Sequence, residues 1–159
     1  MGVSGSGKST LGKALASRLD WPFQEGDDLH PPANIAKMSA GIPLTDEDRA
    51  PWLAAVGAWI DRCIGQGGGG VITCSALKAA YRRTLTAGRP SVRVVYLEGS
   101  KALIAERLVE RTGHFMPTGL IDSQFADLEP PTPEEHAIDV SADSPIERQV
   151  TKVVNTLGL

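Results

Sequence analysis

The run Gly2-Val3-Ser4-Gly5-Ser6-Gly7-Lys8-Ser9 decides the reading of this chain, because it fills every position of the phosphate-binding pattern GxxxxGK[ST]. Glycines at 2, 5 and 7 permit positive φ, so the backbone can curl its N–H groups inward as a nest for phosphate oxygens. Lys8 then reaches the β- and γ-phosphates, and Ser9 offers its hydroxyl to Mg²⁺. Leu11, Ala14, Leu15 and Leu19 fall on one face, which predicts a helix beginning at about Ser9. Its N-terminus places partial positive charge behind the bound anion. Nucleoside triphosphate binding is the working premise.

Such a loop normally follows a buried parallel strand of ~5 apolar residues. Here Met1 alone precedes Gly2. The sequence reading therefore treats the first strand as truncated, and expects the native protein to begin further upstream rather than the sheet to have lost a central strand, which would leave open edges.

A chain of 159 residues reads as a single domain, 1–159. Apolar content of 42% and charged content of 22% are ordinary for a globular protein. A net charge of −3 without a long Lys/Arg run argues against nucleic acid as the main partner. No run approaches the ~18 apolar residues of a membrane span, and no charged-then-apolar leader is visible, so a cytoplasmic protein is expected. Cys63 and Cys74 lie outside any CxxC or Cys/His cluster and read as buried free thiols.

Outward from the loop, Trp21 to Glu25 reads as a short strand delivering Gly26-Asp27-Asp28-Leu29-His30 to the edge of a sheet. Pro31 and Pro32 start a short helical piece that ends at Gly41. Thr45 and Asp48 have capping-box spacing, and Pro51 is expected to open the main helix, with Trp52, Leu53, Val56, Ile60, Cys63 and Ile64 on its core face. Gly67 to Gly70 precedes the strand Val71 to Cys74, and so reads as a turn at the wrong end of the sheet for a phosphate cradle. Ser75 to Lys78 follows that strand at the ligand end and leads into a helix bearing Tyr81 and Arg82. Val92 to Leu97 is an apolar strand, and Ser100 caps a helix with Leu103, Ile104 and Leu108 inward. A segment with Gly and Pro at both ends follows, then a short helix through Ile121 and Phe125. A strand at Ala137 to Val140 and a terminal helix through Val150 and Val154 complete the chain. Alternation of strand and helix predicts an α/β fold with a mainly parallel sheet between helical layers.

Phosphoryl transfer needs a phosphate clamp, a group that takes the nucleophile's proton, and cations that stabilise spread negative charge. Asp27, just past a strand end, is the candidate to accept the substrate hydroxyl proton, with a turn or cap residue as the alternative, and Glu25 is a candidate to hold a metal-bound water. Arg107 and Arg111, four apart, read either as a solvated helix face or as cations that fold over the phosphates when the next segment closes. Arg49, Lys78 and Arg82 are candidates to bind an anionic substrate, with a surface role as the alternative. His30 and His114 are candidates to hydrogen-bond substrate hydroxyls, with a structural role as the alternative.

At these residues the chain resembles the gluconokinases, small ATP-dependent sugar-acid kinases related in fold to shikimate kinase and adenylate kinase. The resemblance runs in order through GVSGSGKST, GDDLHPPANIAKMSAGIPLTDEDRAPWL, ITCSALKAAYRR and GHFMPTGLIDSQFADLE, and so covers most of the chain. It implies the three-layer α/β/α fold of P-loop NTPases with a mobile lid at about 107–118, a homodimer, and Mg²⁺-dependent transfer of the ATP γ-phosphate to the 6-hydroxyl of D-gluconate. Gly2, Val3, Ser4, Gly5, Ser6, Gly7, Lys8, Ser9 and Thr10 match the ATP loop. Asp27 and His30 match the GDxLH block, Arg49 the DR pair, Lys78 and Arg82 the SALKxxYR block, and His114 and Gln124 the GHF and QF blocks. Two other readings compete. One is a kinase for another small hydroxy acid such as shikimate, although shikimate kinases carry their glycines after the third strand rather than before it. The other is a nucleotide-binding regulatory module without turnover, which would not need acceptor-side residues.

Overall fold

In the computed structural model, residues 1–112 and 118–159 are described, apart from the side chains of 110–120. Helix α1 spans Lys8–Leu19, so it starts one residue before the expected position. Strand β1 is Phe23–Gln24, followed by a 3-10 turn over Gly26–Leu29 and helix α2 at Pro32–Ser39. Helix α3 runs Asp46–Gly65, β2 is Val71–Ile72 and α4 is Ala79–Thr86. Strand β3 at Val95–Glu98 leads to α5 at Lys101–Thr112 and α6 at Thr118–Asp127. Strand β4 at Ile138–Ser141 and α7 at Ile146–Leu157 end the chain.

The capping box sets the start of α3. The Thr45 hydroxyl accepts from the Asp48 amide at 3.2 Å, and the Asp48 carboxylate accepts from the Thr45 amide at 3.0 Å. Pro51 was expected to open this helix, but it lies inside it. The box satisfies the Asp48 amide and the cap's own amide ahead of the proline, and the loss falls on one interior bond, from the missing Pro51 N–H to the carbonyl of exposed Glu47. Ser100 caps α5 as expected, accepting from the Leu103 amide at 3.2 Å.

Among the described residues the strands pair in parallel as β1 with β2 and β3 with β4. The backbone of Met1 and Gly2 lies between the two pairs. The Gly2 amide donates to the Ser75 carbonyl at 3.2 Å, and the Leu97 amide donates to the Met1 carbonyl at 2.9 Å. Strands β1, β2 and β3 are shorter than their apolar runs predict, whereas β4 has the expected four residues, shifted by one. A cavity of about 570 Å³ opens between the pairs, lined by groups such as Leu15, Val71, Val95, Leu97 and Val153.

Leu11 and Leu15 of α1 pack with Val153 and Val154 of α7 on Leu97, Ile138 and Val140. Trp52, Val56 and Ile60 of α3 pack with Tyr81 and Leu85 of α4 against Cys74 and Ala76. Val3 joins Leu77, Ile104, Leu108 and Ile121 in a third cluster, which seats the glycine-rich loop on α5 and α6. Cys74 is a buried free thiol, raised to about 11 by that burial, whereas Cys63 is only half-buried and Ile64 is exposed. No described helix is long and apolar enough to cross a membrane.

Candidate active site

The loop ahead of α1 has the predicted backbone, with φ of 145°, 81° and 102° at Gly2, Gly5 and Gly7. A Cβ at Gly5 would meet Leu108 Cγ at 2.8 Å, so packing as well as φ demands glycine there. Gly7 precedes α1 with no side chain capping the helix, which leaves the helix N-terminus open to an anion. Ser6 Oγ is buried and, among the described residues, has no hydrogen-bond partner. A nest of positive-φ glycines, an uncapped helix start and an orphaned hydroxyl together fit a polyphosphate.

The loop is held from three sides. Lys8 Nζ donates to the Val3 carbonyl at 2.9 Å. Arg107 joins the loop to the end of β4, with Nη1 donating to Ser6 O at 3.2 Å and Nη2 to Ala142 O at 2.7 Å. Gln124 of α6 accepts from the Ser4 amide at 2.6 Å, so it meets the phosphate loop rather than the acceptor block. Residues 113–117 of the expected lid at 107–118, His114 among them, lie outside the described residues, as does the side chain of Arg111.

The acceptor block sits beside this loop. Thr73, just past β2, accepts from the Gly26 amide at 3.1 Å and donates its hydroxyl to the Glu25 carboxylate. A Cβ at Gly26 would lie 1.9 Å from the Thr73 carbonyl oxygen, so a side chain there would drive the turn off β2. The Trp52 indole closes the turn from the other side, donating to Gly26 O at 2.7 Å. Asp27 is exposed at the head of this locked turn, as a proton acceptor for an incoming hydroxyl must be.

His30 ends the same turn, 8% exposed, with its ring stacked on Trp52 at 4.3 Å between centroids and 13° between planes. Its Nδ1 lies 3.2 Å from Asn34 Nδ2. Burial pushes its pKa below the usual histidine value, with Asp27 opposing and Arg49 assisting.

Arg49 and Lys78 come together around Tyr81. Arg49 Nη1 donates to the Tyr81 hydroxyl at 3.0 Å, and that hydroxyl donates in turn to Asp46. Lys78 Nζ donates to Asp46 Oδ1 at 2.8 Å, and each cation lies 5.6 Å from the Tyr81 ring centroid. The hydrogen bonds from Lys78 and Tyr81 hold the Asp46 carboxyl below its ordinary pKa, and Asp46 raises that of Lys78.

Arg82 belongs to a different network. It is 2% exposed, with Nε and Nη2 donating to Glu135 at 2.5 and 2.8 Å. Its Nη1 donates to the carbonyls of Ala76, Leu77 and Glu129. This holds the 76–78 turn, where Ala76 has a positive φ of 41°. The guanidinium is therefore placed in the wall behind Lys78 rather than beside it. Sequence reading singled out neither Asn34, Asp46 nor Thr73. The one available signal was the four-residue spacing of His30 and Asn34 across a helix start.

Among the described residues no group of three or more His, Cys, Asp or Glu is arranged to hold a metal ion. Mg²⁺ keeps most of its water and binds substrate phosphates, so it needs no such cage, and the Ser9 hydroxyl at the start of α1 could serve it, with Glu25 holding one of its waters.

A family model described as shikimate kinase matches residues 4–157. A gluconokinase of Gluconobacter oxydans (strain 621H) is 52% identical over 143 residues, which is 90% of this chain and 80% of that protein. The thermosensitive gluconokinase of Escherichia coli (strain K12) is 46% identical over 146 residues, 90% of this chain and 78% of its own. The crystal structure of a gluconokinase from Sinorhizobium meliloti 1021 matches with a TM-score of 0.89 at 46% identity, covering 99% of this chain and 89% of that one. A shikimate kinase structure from Bacteroides thetaiotaomicron matches at 0.64 with 20% identity, covering 99% and 95%, a likeness of fold alone.

Proposed function

The chain belongs to the shikimate kinase family and, within it, to the gluconokinases, and we propose that its two blocks divide the work between ATP and gluconate. It is an ATP-dependent gluconokinase, converting D-gluconate to 6-phospho-D-gluconate. ATP brings the phosphoryl group and Mg²⁺ the charge neutralisation at its oxygens. The loop amides of residues 5–10 and Lys8 hold the phosphates, with Ser9 as the protein's ligand to Mg²⁺. Asp27 takes the proton of the 6-hydroxyl at its carboxylate. His30 orients a gluconate oxygen, and Arg49 and Lys78 receive the carboxylate by exchanging Tyr81 and Asp46 for it. Arg107 adds positive charge at the loop, Gln124 ties α6 to it, and Arg82 positions Lys78. Arg111 and His114 are assigned to the closing segment by resemblance alone. A homodimer in the cytoplasm completes the reading.

The observation that carries this division is the join between the blocks. Gly2 is hydrogen-bonded to Ser75, and Gly26 is locked onto Thr73, so the phosphate nest and the acceptor turn share one edge of the β-structure. ADP release from ATP and Mg²⁺ with D-gluconate, against shikimate and no-acceptor controls, tests it. Gluconate-dependent turnover is expected, and equal rates with and without acceptor would overturn the substrate assignment.

A further inference from the structure

We infer that Asn34 is a positioning residue that fixes His30 as the neutral imidazole protonated at Nε2, so that the ring offers gluconate a hydrogen-bond donor and never a base. The identity of the ligand rests on the gluconokinase reading, whereas the state of the ring does not.

The orientation of the Asn34 amide is set by a neighbour with one possible role. Its side chain, in a residue 3% exposed, stands 2.7 Å from the backbone carbonyl of Asp48. A carbonyl oxygen only accepts, so the amide atom facing it is the NH₂. The same nitrogen lies 3.2 Å from His30 Nδ1 and directs its second hydrogen there. Nδ1 is thereby an acceptor and carries no proton, which leaves the single N–H of the neutral ring at Nε2. Protonating Nδ1 would set one donor against another across a buried contact.

The other contacts act in the same sense or are spoken for. Trp52 stacks on the ring without charge, and its indole is tied to Gly26. Arg49 on α3 disfavours the imidazolium, and Asp27 in the turn is the charge that favours it. The Asp48 carboxylate is turned to Lys37 at 2.7 and 2.8 Å and not to the ring. Both Asp48 and Trp52 belong to the first two turns of α3, so the capped start of that helix presets the ring before any ligand arrives. A ring held this way cannot take the proton of the attacking hydroxyl, which leaves that step to Asp27.

The test combines nitrogen-15 spectroscopy of the histidine rings with gluconate kinetics on the full chain. In the wild type, His30 should show a bare Nδ1 and a protonated Nε2 throughout neutral and mildly alkaline pH, with a flat gluconate KM. Asn34→Asp replaces the donor by an acceptor, so the ring takes a proton at Nδ1 and its pKa rises. Below that raised pKa the imidazolium keeps its Nε2 donor, and KM should stay near that of the wild type. Above it the proton remains on Nδ1 and the donor is lost, so KM should climb about tenfold while kcat changes less than about threefold. If Asn34→Asp does not fold, Asn34→Ala serves, and a mixture of ring tautomers is expected in place of one. A proton on Nδ1 in the wild type overturns the assignment. So does a single unchanged tautomer in Asn34→Ala, or a KM rise in Asn34→Asp that is the same at every pH. Gluconate turnover on the same wild-type sample judges the functional reading separately.

Discussion

Asp27 and Arg82 are both charged residues of the acceptor side, yet they should fail in opposite ways. Asp27 is exposed and free to meet a hydroxyl, so Asp27→Asn should lower kcat by roughly 10²- to 10⁴-fold, with ATP affinity retained in a direct nucleotide-binding assay. Arg82 is buried on Glu135 and three carbonyls, so Arg82→Met strands a carboxylate and should cost roughly 3–5 kcal/mol in denaturant unfolding. The same pair sets a pH dependence. Arg82 holds the Glu135 carboxyl below its ordinary value of 4.5, so its contribution is full above that value and is lost as pH falls through the depressed folded one. Unfolding curves should show the wild type losing stability on the acid side, with that loss reduced in Arg82→Met by the share that Glu135 carries, while the depressed Asp46, Asp48 and Asp61 keep theirs. The exposed place of Asp27 was legible in the sequence because it follows directly from the end of β1. The role of Arg82 was not, because its partners lie 47 and 53 residues away and no local pattern announces them.

Local chemistry made the helix starts readable, and it also ranks their defects. Thr45→Ala removes one arm of the box that begins α3 and should lower stability by about 1 kcal/mol, read from the denaturant midpoint. Such a loss is modest, but α3 carries both Trp52 and Arg49, so a frayed start would reach the acceptor side. Gly5→Ala should be far more severe for function. The added methyl meets Leu108 and the residue is held at a positive φ of 81°, so the loop must deform and nucleotide binding should be lost in calorimetry. The glycine pattern and the box were visible in advance because each is satisfied within four to eight residues. Pro51 lies inside α3 rather than at its start because its preference for a first turn is weaker than the two hydrogen bonds that Thr45 and Asp48 make earlier.

The whole molecule is assembled from two unequal ladders, a two-residue pairing of β1 with β2 and a four-residue pairing of β3 with β4, bridged by the backbone of Met1 and Gly2. Native-state hydrogen exchange should therefore resolve two opening units. The β3–β4 amides should exchange with those of α7, and the β1–β2 amides should exchange at a lower free energy. Alternation of elements in the sequence foretold parallel strands, but not how few residues of each would pair, because ladder length depends on neighbours distant in the chain. Cys74 sits next to the weaker of these ladders, buried, with its thiol pushed up to about 11. At neutral pH that sulfur is almost wholly protonated and sealed from reagents, while Cys63 is partly open. The molecule thus carries its own clock, in which the rate at which an alkylating agent reaches Cys74 counts how often the weaker ladder comes apart.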